Sequence, residues 1–225
     1  MNSIPTATKS IILINIFVFI ITLLSGRLMT NNFMVKTFAL FYPTSPFFYI
    51  WQPITHMFMH GGYLHIFFNM YTLYIFGSEL ERIWGPKKFL LFYFVTGLGA
   101  AGLHIGVQAL QVAHFQAQFA AGVSSAAEAL DIIYYTPTVG ASGAIYGLLV
   151  GYAMLFPDNR LTLMIPPVTL SAKWLVIIFI IIELVVGISG KLAFIAHFAH
   201  LGGALFGWLM ILYWKKKGKM YDYEY

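Results

Sequence analysis

Two short runs carry the residues best suited to chemistry: Gly-Ala-Ser-Gly at Gly140 to Gly143, and Ala-His-Leu-Gly-Gly at Ala199 to Gly203. Each opens a stretch apolar enough to cross a bilayer. Polar and ionisable groups at that depth are costly, and their default reading is functional. Ser142 supplies a hydroxyl and His200 an imidazole able to take its proton, a sufficient pair for nucleophilic acyl transfer. Ser142 also stands where a helix begins, so backbone N–H groups around it lack intrahelical partners. Those donors and the positive end of the helix dipole favour an oxyanion, and Gly140 and Gly143 allow close backbone approach. A serine there could be only an N-cap, and a buried histidine only a core residue. The two together favour the chemical reading.

Other polar residues add to the pair. His65 and Asn69 are four apart and share one helical face, from which imidazole and amide can donate to a developing negative charge. Alternatively they form an inter-helix hydrogen-bond pair. Tyr146 lies one turn below Ser142 and could pack against the His200 ring. His197 is a rival to His200, but Gly203 and Gly207 follow His200 at i+3 and i+7, so the face that packs is the face that carries that imidazole. His56 and His60 have the spacing of a metal pair. Only His65 joins them as a nitrogen donor and no carboxylate is near, so neither metal nor cofactor is expected. Glu183 stands alone in its span and needs a bonded partner. A third, acidic member of a triad is possible there, but no local pattern sets it beside His200, and a dyad is the expectation.

The elements that must position these groups follow from composition. Of 225 residues 60% are hydrophobic and 9% charged, and the mean hydropathy is +0.78, against about 25% charged in soluble domains. This is the composition of a polytopic membrane protein. Six segments approach the roughly 20 apolar residues of a membrane helix: about 5–25, 61–78, 89–110, 141–156, 174–190 and 194–214. The expected fold is all-α, a single six-helix transmembrane domain over 1–225. The first run follows Lys9 without a small-residue cleavage site before Arg27, and reads as a retained span.

With both ends in the cytoplasm, the inner side carries Lys9, Arg82, Lys87, Lys88, Arg160, Lys173, Lys215, Lys216, Lys217 and Lys219. The outer side keeps Arg27, Lys36 and Lys191. This is a positive-inside bias, and same-side termini require an even number of spans. The net charge of +5 therefore reports topology; with no interleaved aromatic patch, nucleic acid is not an expected partner. Zero cysteines exclude disulfides and thiolate zinc sites. The outer loop of about 27–60, rich in aromatics and broken by Pro43, Pro46 and Pro53, predicts short interfacial helices. The Ala- and Gln-rich outer loop of about 111–139 predicts one amphipathic helix.

Spans 2, 4 and 6 all run from outside to inside, and each has its polar residues near its start. At 1.5 Å rise per residue, His65, Asn69, Ser142 and His200 share a level in the outer half of the bilayer. Glycines at four-residue spacing, Gly143, Gly147 and Gly151 on span 4 with Gly203 and Gly207 on span 6, allow the close helix approach that would join them.

Three linked stretches resemble the rhomboid intramembrane serine protease family: ITHMFMHGGYLHIFFNMYTLYIFGSELERIWG, TVGASGAIYGLLVGYAMLFP and FAHLGGALFGW, in the family's order, within roughly Trp51 to Trp214. The resemblance implies a six-helix core and a Ser142 and His200 dyad opening outward. It also implies an oxyanion site using His65, Asn69 and the Ser142 amide. The implied activity is cleavage of single-span membrane proteins without cofactor or ATP, and the partners are such substrates and the lipid bilayer. Size and simplicity suggest a bacterial inner membrane. The alternative is a catalytically silent rhomboid-like protein that binds membrane helices. The first outer loop lacks the adjacent Trp-Arg pair found in many family members.

Overall fold

The computed structural model describes residues 3–26, 32–163, 167–189 and 197–220. Arg27 and Lys191, two of the expected outer-side cations, and residues 194–196 at the start of the sixth expected span lie outside them. The fold is mostly helical. Helix α1 (Thr6–Leu24) buries one stripe, Ala7, Ile11, Asn15, Phe19 and Thr22, as 3.6-residue periodicity requires. Its start would leave orphan N–H groups. The buried carboxylate of Glu81 satisfies two of them, accepting from Ala7 N at 2.8 Å and Thr8 N at 2.7 Å.

Short helices α2 (Phe33–Phe38) and α3 (Gln52–Thr55), and a 3₁₀ turn over His56–Phe58, occupy the segment before the second long helix. Buried Gln52 ties this segment together: its Nε2 donates to Phe47 O at 2.7 Å and its Oε1 accepts from Phe41 N at 3.2 Å. Helix α4 (Tyr63–Thr72) passes through a π turn at Leu73–Gly77 into α5 (Ser78–Ala120). Gly85, at φ 72°, interrupts α5 before Pro86. That left-handed angle suits glycine, and Pro86 suits the first turn of the helix that resumes. Beyond residue 110, the expected end of the third span, α5 continues to Ala120 because its Ala- and Gln-rich sequence favours helix whether or not lipid surrounds it. Helix α6 (Ser125–Tyr135) follows.

Helices α7 (Ser142–Leu155), α8 (Ala172–Ser189) and α9 (His197–Lys216) complete the bundle. Between α7 and α8 lies an element outside the all-α expectation, an antiparallel hairpin of β1 (Arg160–Thr162) and β2 (Thr169–Ser171). Thr162 and Thr169 pair across it with hydroxyls 2.9 Å apart, and β-branched residues suit such pairs. Among the described helices, Thr6–Leu24, the continuous Tyr63–Ala120 and Ala172–Ser189 are long and apolar enough to cross a membrane, with Ser142–Leu155 a shorter apolar helix.

Helices α5, α7 and α9 form the tight centre. A methyl group on Gly203 would overlap the Gly143 carbonyl, and one on Gly207 would lie 2.9 Å from Gly147 Cα. Gly147 in turn faces Thr96 of α5, whose Cβ would be 2.5 Å from such a methyl. Small residues thus let three backbones meet. At the other end, Trp84 and Trp214 stack edge to face at 5.2 Å, and Lys88 Nζ lies 4.6 Å above the Trp214 ring.

Candidate active site

The segment that delivers Ser142 is held on both sides before α7 starts. Thr138 exchanges backbone hydrogen bonds with Leu40, at 2.8 and 2.9 Å, and its Oγ1 lies 2.9 Å from His104 Nε2 on α5. Gly140 N–H donates to His56 O at 2.9 Å. Gly140 has φ 130°, an angle that side-chain-bearing residues avoid. A Cβ there would also lie 2.8 Å from His65 Nε2, so glycine is required twice over. Ser142 is the first residue of α7 and is half-buried.

Helix α9 brings the imidazole to it. With Gly203 seated on Gly143 and Gly207 on Gly147, His200 one turn earlier faces the start of α7, and its Nε2 lies 2.7 Å from Ser142 Oγ. These two side chains are 58 positions apart in the chain. The Tyr146 ring stacks on the His200 ring at 4.5 Å and 6°.

Glu183 of α8 has the bonded partners that a lone acid in an apolar span needs. It is not isolated: its Oε1 lies 2.9 Å from His200 Nδ1 and accepts from Tyr146 OH at 2.6 Å, while its Oε2 lies 2.6 Å from His197 Nδ1. An ionised carboxylate only accepts. It therefore selects the His200 tautomer with hydrogen on Nδ1, which leaves the Nε2 lone pair for the Ser142 hydroxyl. His197 touches the carboxylate rather than the serine. The one signal in the sequence was a lone acid in an apolar helix, which demands a partner without naming it.

On the other side of Ser142, His65 Nδ1 accepts a long hydrogen bond from Gly61 N–H at 3.5 Å. That leaves Nε2 as the donor, directed at Gly140. Asn69 lies one turn on, buried, and its Nδ2 has no partner among the described residues.

His56 and His60 remain in the loop. His56 Nδ1 donates to Gln52 O at 3.0 Å, and burial holds its pKa down to about 4. Burial, with the neighbouring His65 second, holds His60 down to about 3. Its ring meets His65 edge on at 5.0 Å. Among the described residues no group of three or more His, Cys, Asp or Glu is placed to hold a metal ion. An almost wholly apolar cleft of about 390 Å³ opens further along α7, between Val150, Met154, Val176, Ile180 and Trp208. It contains neither Ser142 nor His200.

Comparison with known proteins bears on the family of the chain. Residues 48–217 match the Rhomboid domain. The chain is 30% identical over 165 residues to the mouse (Mus musculus) presenilin-associated rhomboid-like protein, mitochondrial, covering 71% of this chain and 38% of the relative. It is 27% identical over 178 residues to rhomboid-like protein 19 of Arabidopsis thaliana, covering 77% and 51%. It is also 31% identical over 106 residues to YdcA of Bacillus subtilis (strain 168), whose name proposes a rhomboid protease, covering 47% and 41%. The chain spans about two fifths to one half of the length of these relatives. The Rhomboid domain and the long apolar helices together make it an integral, multi-pass membrane protein. With that domain matched over most of its length, this chain belongs to the rhomboid family.

Proposed function

We propose that the chain is an intramembrane serine endopeptidase that cleaves single-span membrane proteins. The observation that carries this reading is the 2.7 Å approach of His200 Nε2 to Ser142 Oγ at the start of a helix. Ser142 Oγ attacks the scissile carbonyl carbon, the carbonyl π pair moves onto oxygen, and the hydroxyl proton passes to His200 Nε2. The oxyanion is held by His65 Nε2–H, the Asn69 amide and the Ser142 N–H. Collapse breaks the C–N bond, and Nε2 returns the proton to the leaving nitrogen. Water, deprotonated by the same Nε2, then releases the acyl group and restores Ser142.

Six crossings supply the setting: α1, the continuous helix before Gly85, the helix after it, α7, α8 and α9. Helix α7 has 14 residues, about 21 Å at 1.5 Å per residue, against a hydrocarbon core of about 30 Å. If its C-terminus reaches the inner face, Ser142 lies below the outer surface, in a pocket that water enters from outside and substrate enters sideways. Charge bias favours cytoplasmic termini and an outward-facing site, in a membrane such as the bacterial inner membrane. In this setting residues 1–225 act as a single rhomboid domain.

The test is cleavage of single-span substrates by the purified protein in detergent, with fluorophosphonate labelling of Ser142. Fragments and label are expected for wild type and absent for Ser142→Ala and His200→Ala. Cleavage surviving in both variants would overturn the reading. Capture of membrane helices without cleavage would make the chain a silent binder instead.

A further inference from the structure

We propose that Glu183 is a positioning residue for His200, so that the site works as a Ser142–His200–Glu183 triad rather than a dyad; this rests on the protease reading above. Helix α8 is otherwise largely exposed and apolar. Ile177, Ile178, Ile181, Ile182 and Val185 are exposed, and the buried residues of α8 are Ala172, Leu175, Val176 and Glu183. Glu183 is thus the single buried side chain in the half of α8 nearest Ser142 among the described residues. A carboxylate is an expensive choice for that place, and a leucine would pack as well. What it gains is three short contacts, at 2.6, 2.6 and 2.9 Å, in the range of charge-assisted hydrogen bonds.

Those contacts divide the labour. Tyr146 OH and His200 Nδ1 meet Oε1, and His197 Nδ1 meets Oε2. With one oxygen held by His197 the carboxylate cannot rotate away. With the Tyr146 ring stacked on the imidazole, His200 is fixed in both plane and tautomer. When Nε2 receives the Ser142 proton, the ring becomes an imidazolium whose Nδ1–H still points at Oε1. Glu183 stays ionised throughout: it stabilises the new cation and takes no proton, and when Nε2 gives its proton to the leaving nitrogen the ring returns to the same neutral tautomer. In soluble serine proteases, replacing the orienting carboxylate by its amide lowers kcat by about 10⁴-fold, because the wrong tautomer is held.

Glu183 could instead serve only to pin α8 to α7 and α9, and the experiment separates the two roles. Cleavage kinetics in detergent are compared for wild type, Glu183→Gln and Ser142→Ala, with thermal unfolding of each. Proton spectra of the histidine-labelled wild type are recorded in parallel. A positioning role lowers kcat of Glu183→Gln by about 10²- to 10⁴-fold with KM within about threefold. It also gives the wild type a far-downfield Nδ1 proton that disappears in His200→Gln. A folded Glu183→Gln that keeps kcat within about threefold of wild type, or falls through KM alone, overturns the triad and leaves the protease reading intact. If Glu183→Gln does not fold, the proton decides: its absence from wild type overturns the proposal. Lack of cleavage by wild type itself would remove the protease reading and this proposal with it.

Discussion

Gly203→Ala tests whether helix packing sets the catalytic geometry. An alanine methyl at 203 would overlap the Gly143 carbonyl oxygen and lie 3.2 Å from Gly143 Cα. Both obstacles are backbone, so no rotamer relieves them, and α9 must move off α7 by more than about 1 Å to restore an ordinary contact of about 3.5 Å. His200 lies one turn from Gly203, and its 2.7 Å bond to Ser142 has only about 0.5 Å of slack before it leaves the hydrogen-bonding range. A misplacement of about 1 Å can cost about 10²-fold in rate, and the overpacking itself about 1–3 kcal/mol. At Gly207 the methyl would be 2.9 Å from Gly147 Cα, so a shift of about 0.6 Å suffices and a smaller loss follows. Gly102 has nothing within 4 Å of its would-be Cβ, and Gly102→Ala serves as the control. The assay is kcat for a single-span substrate together with thermal unfolding in detergent. The expected order of both activity and stability is Gly102→Ala near wild type, then Gly207→Ala, then Gly203→Ala. A Gly203→Ala protein that melts and cleaves like wild type would refute the packing argument. One that melts lower yet keeps its kcat would refute the link from packing to catalysis.

Three further outcomes follow from individual residues. Asn69→Ala removes the unpaired Nδ2 donor and should lower kcat by about 10²-fold without a fall in melting temperature, because that N–H has no partner among the described residues; an unchanged kcat would exclude it from the oxyanion site. Buried His56 and His60, held down to about 4 and about 3, are neutral when folded, whereas the unfolded chain protonates near 6.5. The unfolded state therefore binds more protons below that value, and stability should be full above pH 6.5 and fall by about 1.4 kcal/mol per histidine per pH unit as pH drops toward 4. Thermal unfolding from pH 7.5 to 5 checks this, with a shallower slope expected for His56→Gln; a flat wild-type profile would contradict it. Glu81→Ala strips two hydrogen bonds from the start of α1 and should cost about 1–3 kcal/mol; an unaltered melting temperature would show that α1 does not depend on this cap.

The local signals in this chain were strong. Lipid makes long apolar runs obligatory helices, so hydropathy located most of them without tertiary information. Motif spacing nominated Ser142, His200, His65 and Asn69 as candidates, and the structure brings His200 Nε2 to 2.7 Å from Ser142 Oγ. Gly203 and Gly207 even indicated which face of α9 carries the packed imidazole.

What sequence could not settle is everything that depends on how one helix is turned against another. Glu183 has no neighbour within α8 to announce its role; it meets Tyr146, His197 and His200 only because α8 packs on α7 and α9 at one particular rotation. The unbroken passage from α4 through a π turn into α5 and the hairpin of β1 with β2 were equally hidden, since each is set by a few backbone angles rather than by a pattern. Depth in the bilayer is written in the order of residues along a helix, whereas rotation about the helix axis is decided by the surfaces of its neighbours.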